Sequence, residues 1–378
     1  MSPSRPMRVL HVVGAMNRGG VETWLLHVAR HMDRSKFATD FLVHAEEPAA
    51  YDEELKRLGC RIIPCLHPSR PLRYGRAFRA AMAKHGPYDV LHSHVHHFSG
   101  LLMKLGRKCG IPARIAHSHN DTRHQDAAAG LARRFYLGMM NRWIRIHATQ
   151  RLAASKEAGL SLFGSRDRQP WEVLYCSVDF EPFEAPSDRD GVANEFGFPS
   201  DAIVMSHVGR FAEQKNHAFL IRIFAEAARK EPRSRLLLVG EGPLRAEMEQ
   251  LARSLGLLES VRFTGPRADV SRLLKASDVF LLPSLHEGLP LVGMEVQAAG
   301  TPIVMTDTIT PEVDIVSALT HRLPLTASPG EWAGASLSAA AKPKDRIAAL
   351  AAARRSPFDI RVGVRQLGEC YANALARV

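Results

Sequence analysis

Cysteine is scarce in this chain and unpatterned. Five cysteines among 378 residues, an odd number without framework spacing, exclude a disulfide scaffold and suit a reducing cytoplasm. Cys60 and Cys65 flank a short apolar segment, but no second pair accompanies them, which argues against a zinc ribbon. Long apolar runs are missing too. No stretch approaches the eighteen or so apolar residues a spanning helix needs, so none is expected. The N-terminal RVLHVVGAM, broken by His11 and Gly14, is too short for a signal peptide and reads as a first buried strand. With 46% hydrophobic and 24% charged residues, the composition is that of a soluble globular protein with room for two domains.

Acidic residues are in short supply only in the first half. Residues 1–181 hold 27 Lys and Arg against 16 Asp and Glu, which leaves 23 against 23 in the remainder, so the whole net charge of +11 sits in that half. Such a bias favours an anionic partner, a membrane surface or a lipid diphosphate. Arg70, Arg73, Arg76 and Arg79 recur every third residue, and Arg133, Arg134, Arg142 and Arg145 attend the aromatic-rich RRFYLGMMNRW. These segments predict either a basic amphipathic face lying on headgroups or a merely solvated surface. Nucleic acid is not expected, since no binding motif accompanies the charge.

Two series of strand and helix signals follow one another. Apolar strands are predicted at 8–14, 40–45, 61–65, 89–94, 114–119, 151–155 and 172–178, and again at 202–209, 236–242, 261–265, 278–284 and 302–307. This is the pattern of two parallel sheets wound on both faces. The expected fold class is α/β, two Rossmann-like domains facing a central cleft: 1–181, then 182–357, joined by a polar stretch at 179–191. After about residue 310 no further strand is predicted, and residues 358–378, with Asp359 as cap, form a helix returning to the first domain.

Candidate chemistry gathers where strands end. PSLHEGLPLVGMEVQAAG (283–300) sets Glu287 before a Gly-Leu-Pro turn and Glu295 inside an apolar helical run. A helix beginning near Leu289, with Pro290 in its first turn, offers unpaired N–H groups around Glu287, Gly288 and Leu289 as an anion site. Glu295 then lies roughly 10 Å along that helix, about the span from a sugar to the ribose of a nucleotide diphosphate. Alternatively, both glutamates are an ordinary cap and a solvated helix residue. Arg210 and Lys215, five residues apart in a loop opening a helix, can clamp a diphosphate or be plain surface cations. GEGPLR (240–245), containing Gly242, can line a base pocket. In the first domain Gly19 and Gly20 precede a helix starting near Val21 and can present N–H groups to a phosphate. LHSHVHH and HSHN bring His92, His94, His96, His97, His117 and His119 to a sheet edge. No carboxylate joins them with ligand spacing, and on the expectation that neighbouring strand positions split them between opposite faces, a metal cluster is set aside. One of His92 and His94, preferably His94, is expected to contact a transferred group.

GGVE (19–22), DVLHSH (89–94), VGRFAEQKN (208–216), VGEGPLR (239–245) and EGLPLVGME (287–295) together resemble the family 4 retaining glycosyltransferases of GT-B fold. RIAHSHN, LAASKEAGLSLFG and TITPEVDI resemble the subgroup building exopolysaccharide and capsule chains. The resemblance implies a nucleotide-sugar donor held mainly by the C-terminal domain and an acceptor on the N-terminal one, and the leading expectation is a UDP-hexose or UDP-N-acetylhexosamine donor with a lipid-linked saccharide acceptor. Carried across by residue, Arg210 and Lys215 bind the diphosphate, Glu287 the sugar and Glu295 the ribose. Gly288, Leu289 and Gly20 offer N–H groups, and His94 stands near the anomeric centre. It implies same-face attack without a metal or other cofactor; the basic first domain adds the expectation of a cytoplasmic enzyme docked peripherally at the inner membrane. Met294, before Glu295, and the alanine-rich 310–355 region depart from the pattern. Two alternatives are a nucleotide-sugar epimerase of the same fold and a non-catalytic nucleotide-sugar-binding component of an assembly complex.

Overall fold

The computed structural model describes residues 5–65, 71–123, 126, 129–165 and 170–377, with residues 71 and 72 as backbone only. The chain forms two compact units, Met1–Ser177 with Ile360–Val378, and Val178–Asp359.

In the first unit β1 (Met7–Val13), β2 (Phe37–Val43), β3 (Ile62–Pro64), β4 (Val90–Ser93), β5 (Ala113–Ser118), β6 (Gln150–Ala153) and β7 (Glu172–Val173) form one sheet in the order β3-β2-β1-β4-β5-β6-β7. Every adjacent pair is parallel, so helices must carry the crossovers. These are α1 (Gly20–His31), α2 (Asp52–Arg57), α3 (Pro71–His85), α4 (Ser99–Lys108), α5 (Leu131–His147) and α6 (Lys156–Phe163). Leu10, Val12, Leu42 and Leu91 pack on Tyr74, Phe78, Leu102 and Met103. Burial on both faces is why these strands read as unbroken apolar runs.

The second unit repeats the plan. Strands β8 (Ile203–Val208), β9 (Ser234–Val239), β10 (Val261–Gly265), β11 (Val279–Leu282), β12 (Ile303–Thr306) and β13 (Thr320–Leu323) lie in the order β10-β9-β8-β11-β12-β13, all parallel. Their helices are α7 (Arg189–Phe196), α8 (His217–Lys230), α9 (Arg245–Ser254), α10 (Val270–Ala276), α11 (Leu291–Ala298), α12 (Pro329–Ala340) and α13 (Arg346–Arg355). Leu236 and Leu238 face one core with Phe224 and Trp332, while Leu237 and Val239 face the other with Val204 and Leu273. The last helix, α14 (Ile360–Ala376), starts one residue after Asp359 and packs on α1 and β5 of the first unit.

Three expectations need correction. Strand β13 exists beyond residue 310 and pairs with β12; it is a half-buried edge strand, Thr320-His321-Arg322-Leu323, so no apolar run announces it. The 172–178 strand shrinks to Glu172–Val173, although Leu174, Cys176 and Val178 stay buried in irregular chain. The 179–191 stretch is not a solvated linker. Phe180 and Phe183 are buried in it, and Lys275 Nζ donates to the carbonyls of Pro182 and Ala185 at 3.1 and 2.7 Å.

Helices α4 and α5 meet closely because Gly100 has no side chain: a Cβ there would stand 2.3 Å from the Met140 carbonyl oxygen. Gly100→Ala is therefore expected to destabilise the first unit by about 1–3 kcal/mol. Gly138→Ala on α5, where nothing lies within 4 Å, should stabilise it slightly through helix propensity. Paired thermal denaturation curves check both.

Candidate functional site

In each sheet the strand order reverses direction between two neighbours, β1 and β4 in the first unit, β8 and β11 in the second. The connections leaving such a pair part to opposite sides and open a crevice at the carboxyl ends.

In the second unit the β8 and β11 ladder covers only Met205↔Val279 and Ser206↔Phe280, after which the strands separate. The two loops that follow are tied together. Lys215 Nζ lies 2.6 Å from Glu287 Oε1, with both side chains largely shielded (16% and 7% exposed), so the pair is held in a low-dielectric setting. Gln214 Nε2 donates to Glu287 Oε2 at 3.2 Å and to the His286 carbonyl at 3.0 Å, and Asn216 Nδ2 donates to the Pro283 carbonyl at 3.2 Å. Asn216 turns the chain from Glu213–Lys215 into α8 with φ 54°, a conformation asparagine tolerates better than most residues. The stem of Lys215 folds back over Gly209, its Cδ 3.3 Å from where a Cβ on that glycine would stand. Arg210, next in sequence, is exposed, and its side chain makes no hydrogen bond or ion pair among the described residues.

Glycines let a third loop approach. Gly240 has φ 141°, and a Cβ on it would sit 2.1 Å from the Gly209 carbonyl oxygen; one on Gly242 would sit 2.4 Å from that of Phe211. The Gly242 N–H donates to Glu241 Oε1 at 3.2 Å. Gly242 thus serves close backbone packing beside the site.

Helix α11 begins at Leu291, not Leu289. Pro290 is its N-cap, with an extended ψ of 107°, and Gly293 N–H reaches the Pro290 carbonyl at 2.9 Å. Glu295 is consequently about 6 Å along the helix rather than 10 Å. The N–H groups of Gly288 and Leu289, in the loop ahead, have no acceptor among the described residues. The Glu295 carboxyl has no partner among them either, and burial pushes it up to about 7.

Two histidines that sequence reading passed over lie beneath. His207 Nδ1 donates to the Leu281 carbonyl at 2.7 Å, where the ladder has opened, and His217 stacks on Phe211 with centroids 4.1 Å apart. Burial, helped by Lys215, pushes His217 down to about 4. The available signal was His207 itself, a polar residue inside an apolar strand.

In the first unit, α1 begins at Gly20 with Gly19 as its cap. The Glu22 carboxylate occupies that turn, Oε2 2.4 Å from a Cβ built on Gly19, and burial raises it above the usual carboxylate range. The helix end is therefore already occupied by a carboxyl group of the chain's own.

The histidines assemble far more tightly than expected. Residues two apart on a strand share a face, so His92 with His94 and His117 with His119 point the same way, and His11 of β1 joins them. The structure records Cys176 Sγ to His119 Nδ1 at 3.4 Å, His119 Nε2 to His94 Nδ1 at 2.9 Å, and His94 Nε2 to His11 Nδ1 at 2.9 Å. His11 Nε2 meets the Tyr371 hydroxyl at 3.4 Å, which meets His92 Nδ1 at 2.9 Å, and His92 Nε2 meets His117 Nδ1 at 3.1 Å. His94 alone of the five is partly exposed, and both its ring nitrogens are engaged. Desolvation holds all five neutral, pushing His11 and His119 down to about 3. His97 lies apart, bonded to Asn141 and Asp126.

The model of the Glycosyl transferase 4-like domain matches residues 19–175, and that of Glycosyl transferases group 1 matches residues 188–342. Putative glycosyltransferase EpsF of Bacillus subtilis (strain 168) is 38% identical over 90% of this chain and 90% of its own. The chain is a family 4 glycosyltransferase of GT-B fold. This glycosyltransferase is also 29% identical to an Escherichia coli UDP-Gal:alpha-D-GlcNAc-diphosphoundecaprenol alpha-1,3-galactosyltransferase, over 60% of this chain and 59% of that one. Anabaena HepE in complex with UDP-glucose superposes with TM-score 0.78 at 19% identity, covering 97% of this chain and all of that one. The lipopolysaccharide glycosyltransferase WaaG gives TM-score 0.72 at 16% identity, covering 96% and 99%.

Glu295 yields a test by linkage. Its folded-state value lies above the ordinary 4.5, so the stability it contributes is complete below about pH 4.5 and is lost as pH rises through about 7. Glu295→Gln should raise the melting temperature of the free protein near pH 8 by several degrees and leave it unchanged near pH 4. Thermal scans across that range check the crossover.

Proposed function

We propose that this glycosyltransferase moves a hexose or N-acetylhexosamine from a UDP-sugar to a lipid-linked saccharide in the building of an exopolysaccharide or capsule chain. The observation carrying the reading is the shielded Lys215–Glu287 pair at the β8/β11 crevice, with the unengaged Arg210 at the end of β8. The likeness to EpsF and to the E. coli galactosyltransferase, together with one structural neighbour, HepE, solved with UDP and with UDP-glucose, supports it.

In this reading Arg210 and Lys215 balance the diphosphate, and no metal is needed for that charge. Glu287, held by Lys215 and Gln214, accepts from sugar hydroxyls. Gly288 and Leu289 supply backbone donors, and Glu295, ionised once it accepts from both ribose hydroxyls, fixes the nucleoside. A carboxylate so tied is a poor nucleophile, which favours same-face displacement with retention, the departing phosphate taking the acceptor proton. His94 receives no proton-transfer step, because both of its nitrogens are already bonded to imidazoles.

The membrane part of the proposal rests on α5. Leu131, Phe135 and Ile146 are 84%, 76% and 50% exposed, and with Arg142 they fall on one stripe of the helix, flanked by exposed Arg134 and Arg145. Arg73, Arg76 and Arg79 are exposed on α3; Arg70 lies outside the described residues. The helix suits the anionic inner surface of a cell membrane, with the rest of the enzyme in the cytoplasm. No helix among the described residues is long and apolar enough to cross it.

Transfer from labelled UDP-sugars into a membrane extract tests the activity; neither transfer nor hydrolysis with any common donor would sink it. Lys215→Ala and Glu295→Ala should weaken UDP binding roughly 10- to 100-fold in calorimetry while the far-ultraviolet spectrum stays native. Unchanged affinity in both would remove the site assignment. Phe135→Ser with Ile146→Ser should lower cosedimentation with anionic phospholipid vesicles at least about tenfold.

A further inference from the structure

One nitrogen in the histidine nest is left over. His117 is fully buried, its Nδ1 is bonded to His92, and its Nε2 makes no well-aligned hydrogen bond, although the Leu174 backbone lies close enough to act on the ring. His94, His117 and His119 each offer one ring nitrogen, and these three atoms lie within 4.8 Å of one another. Two of them, His94 Nδ1 and His119 Nε2, are 2.9 Å apart and share a single proton in the free protein. Without that proton two lone pairs would face each other, an arrangement that only a cation relieves.

We propose that His94, His117 and His119 form a three-imidazole site for a borderline first-row divalent cation of the zinc, cobalt or nickel kind. The ligand chemistry fits: neutral imidazole suits these ions, and burial keeps protons from competing for the nitrogens. The surroundings fit as well. A metal-bound imidazole is oriented by donating its other N–H to a neighbour. Here His94 Nε2 faces His11, His117 Nδ1 faces His92 and His119 Nδ1 faces Cys176. Metal-to-nitrogen distances of about 2.0–2.1 Å in tetrahedral geometry set the nitrogens about 3.3–3.4 Å apart, so the His94–His119 contact has to open by about half an ångström and the His117 nitrogen, within 4.8 Å of the others, has to close by up to about 1.4 Å. Trp24 packs against all three rings, at 5.5–5.8 Å between centroids, and walls one side of the site, leaving the fourth tetrahedral position to a water. The partly exposed His94 marks the side of entry.

The sequence reading set a metal aside here, and the proposal departs from it because the paired histidines share a face. It stands independently of the donor chemistry, which is assigned to the second unit. A bound ion would fasten the carboxyl ends of β4 and β5 together.

The test uses the full chain, free of any histidine tag and treated with chelator, titrated with cobalt and followed by absorption, metal content and thermal melting. The expected result is about one equivalent bound, an intense tetrahedral cobalt spectrum that zinc abolishes, and a raised melting midpoint. His117→Asn and His119→Asn should each remove the spectrum. Cys176→Ala should weaken binding about 10- to 100-fold, and His147→Asn, outside the nest, should change nothing. Should the asparagine variants fail to fold, imidazole nitrogen resonances of the intact protein decide: zinc must shift those of His94, His117 and His119 and spare His97. An octahedral spectrum, no stoichiometric binding, or binding indifferent to His117 and His119 would overturn the proposal and leave the nest as a closed hydrogen-bonded chain of neutral rings.

Discussion

The parallel ladder between β8 and β11 stops after two residue pairs, and most of what the second unit does follows from that short run. A parallel sheet cannot turn tightly on itself, so each strand must hand over to a loop and a helix. At the one place where adjacent crossovers go to opposite sides, the two loops cannot cover the sheet edge. The gap is filled by side chains: His207 satisfies the Leu281 carbonyl, Asn216 that of Pro283, and Lys215 neutralises Glu287. The site is thus made of the groups that repair an interrupted ladder.

The two crevices treat charge differently. In the second unit, Lys215 and Glu287 are matched within hydrogen-bonding distance, while burial raises the Glu295 carboxyl to about 7. In the first unit the histidine nest itself avoids charge. Five imidazoles are held neutral by desolvation, so only proton sharing, not ion pairing, connects them.

What was legible in the sequence was what lies within one strand-loop-helix unit. The apolar runs gave both sheets, and Arg210, Lys215, Glu287 and Glu295 were found because each sits just past a run that had to be a buried strand. What joins distant segments was not legible. Nothing local says that Lys215 pairs with a residue seventy-two positions later, or that Gly242 is small because Phe211 crosses it. Strand β13 escaped because its partial exposure leaves no apolar signature. The histidine nest was misread because neighbours two apart were assigned to different faces, and because its members come from separate strands and from α14.

That last helix carries a consequence for how the chain acquires its shape. Tyr371 is fully buried against His11 and His92, so the interior of the first unit is completed by residues that follow the whole second unit in sequence. During synthesis, when domains ordinarily close in order from the N-terminus, the first unit has to wait with its histidine face uncovered while about 180 further residues emerge. The second unit has no such dependence. The order of maturation is therefore the reverse of the order of translation, and the imidazole nest is the last part of the molecule to be sealed.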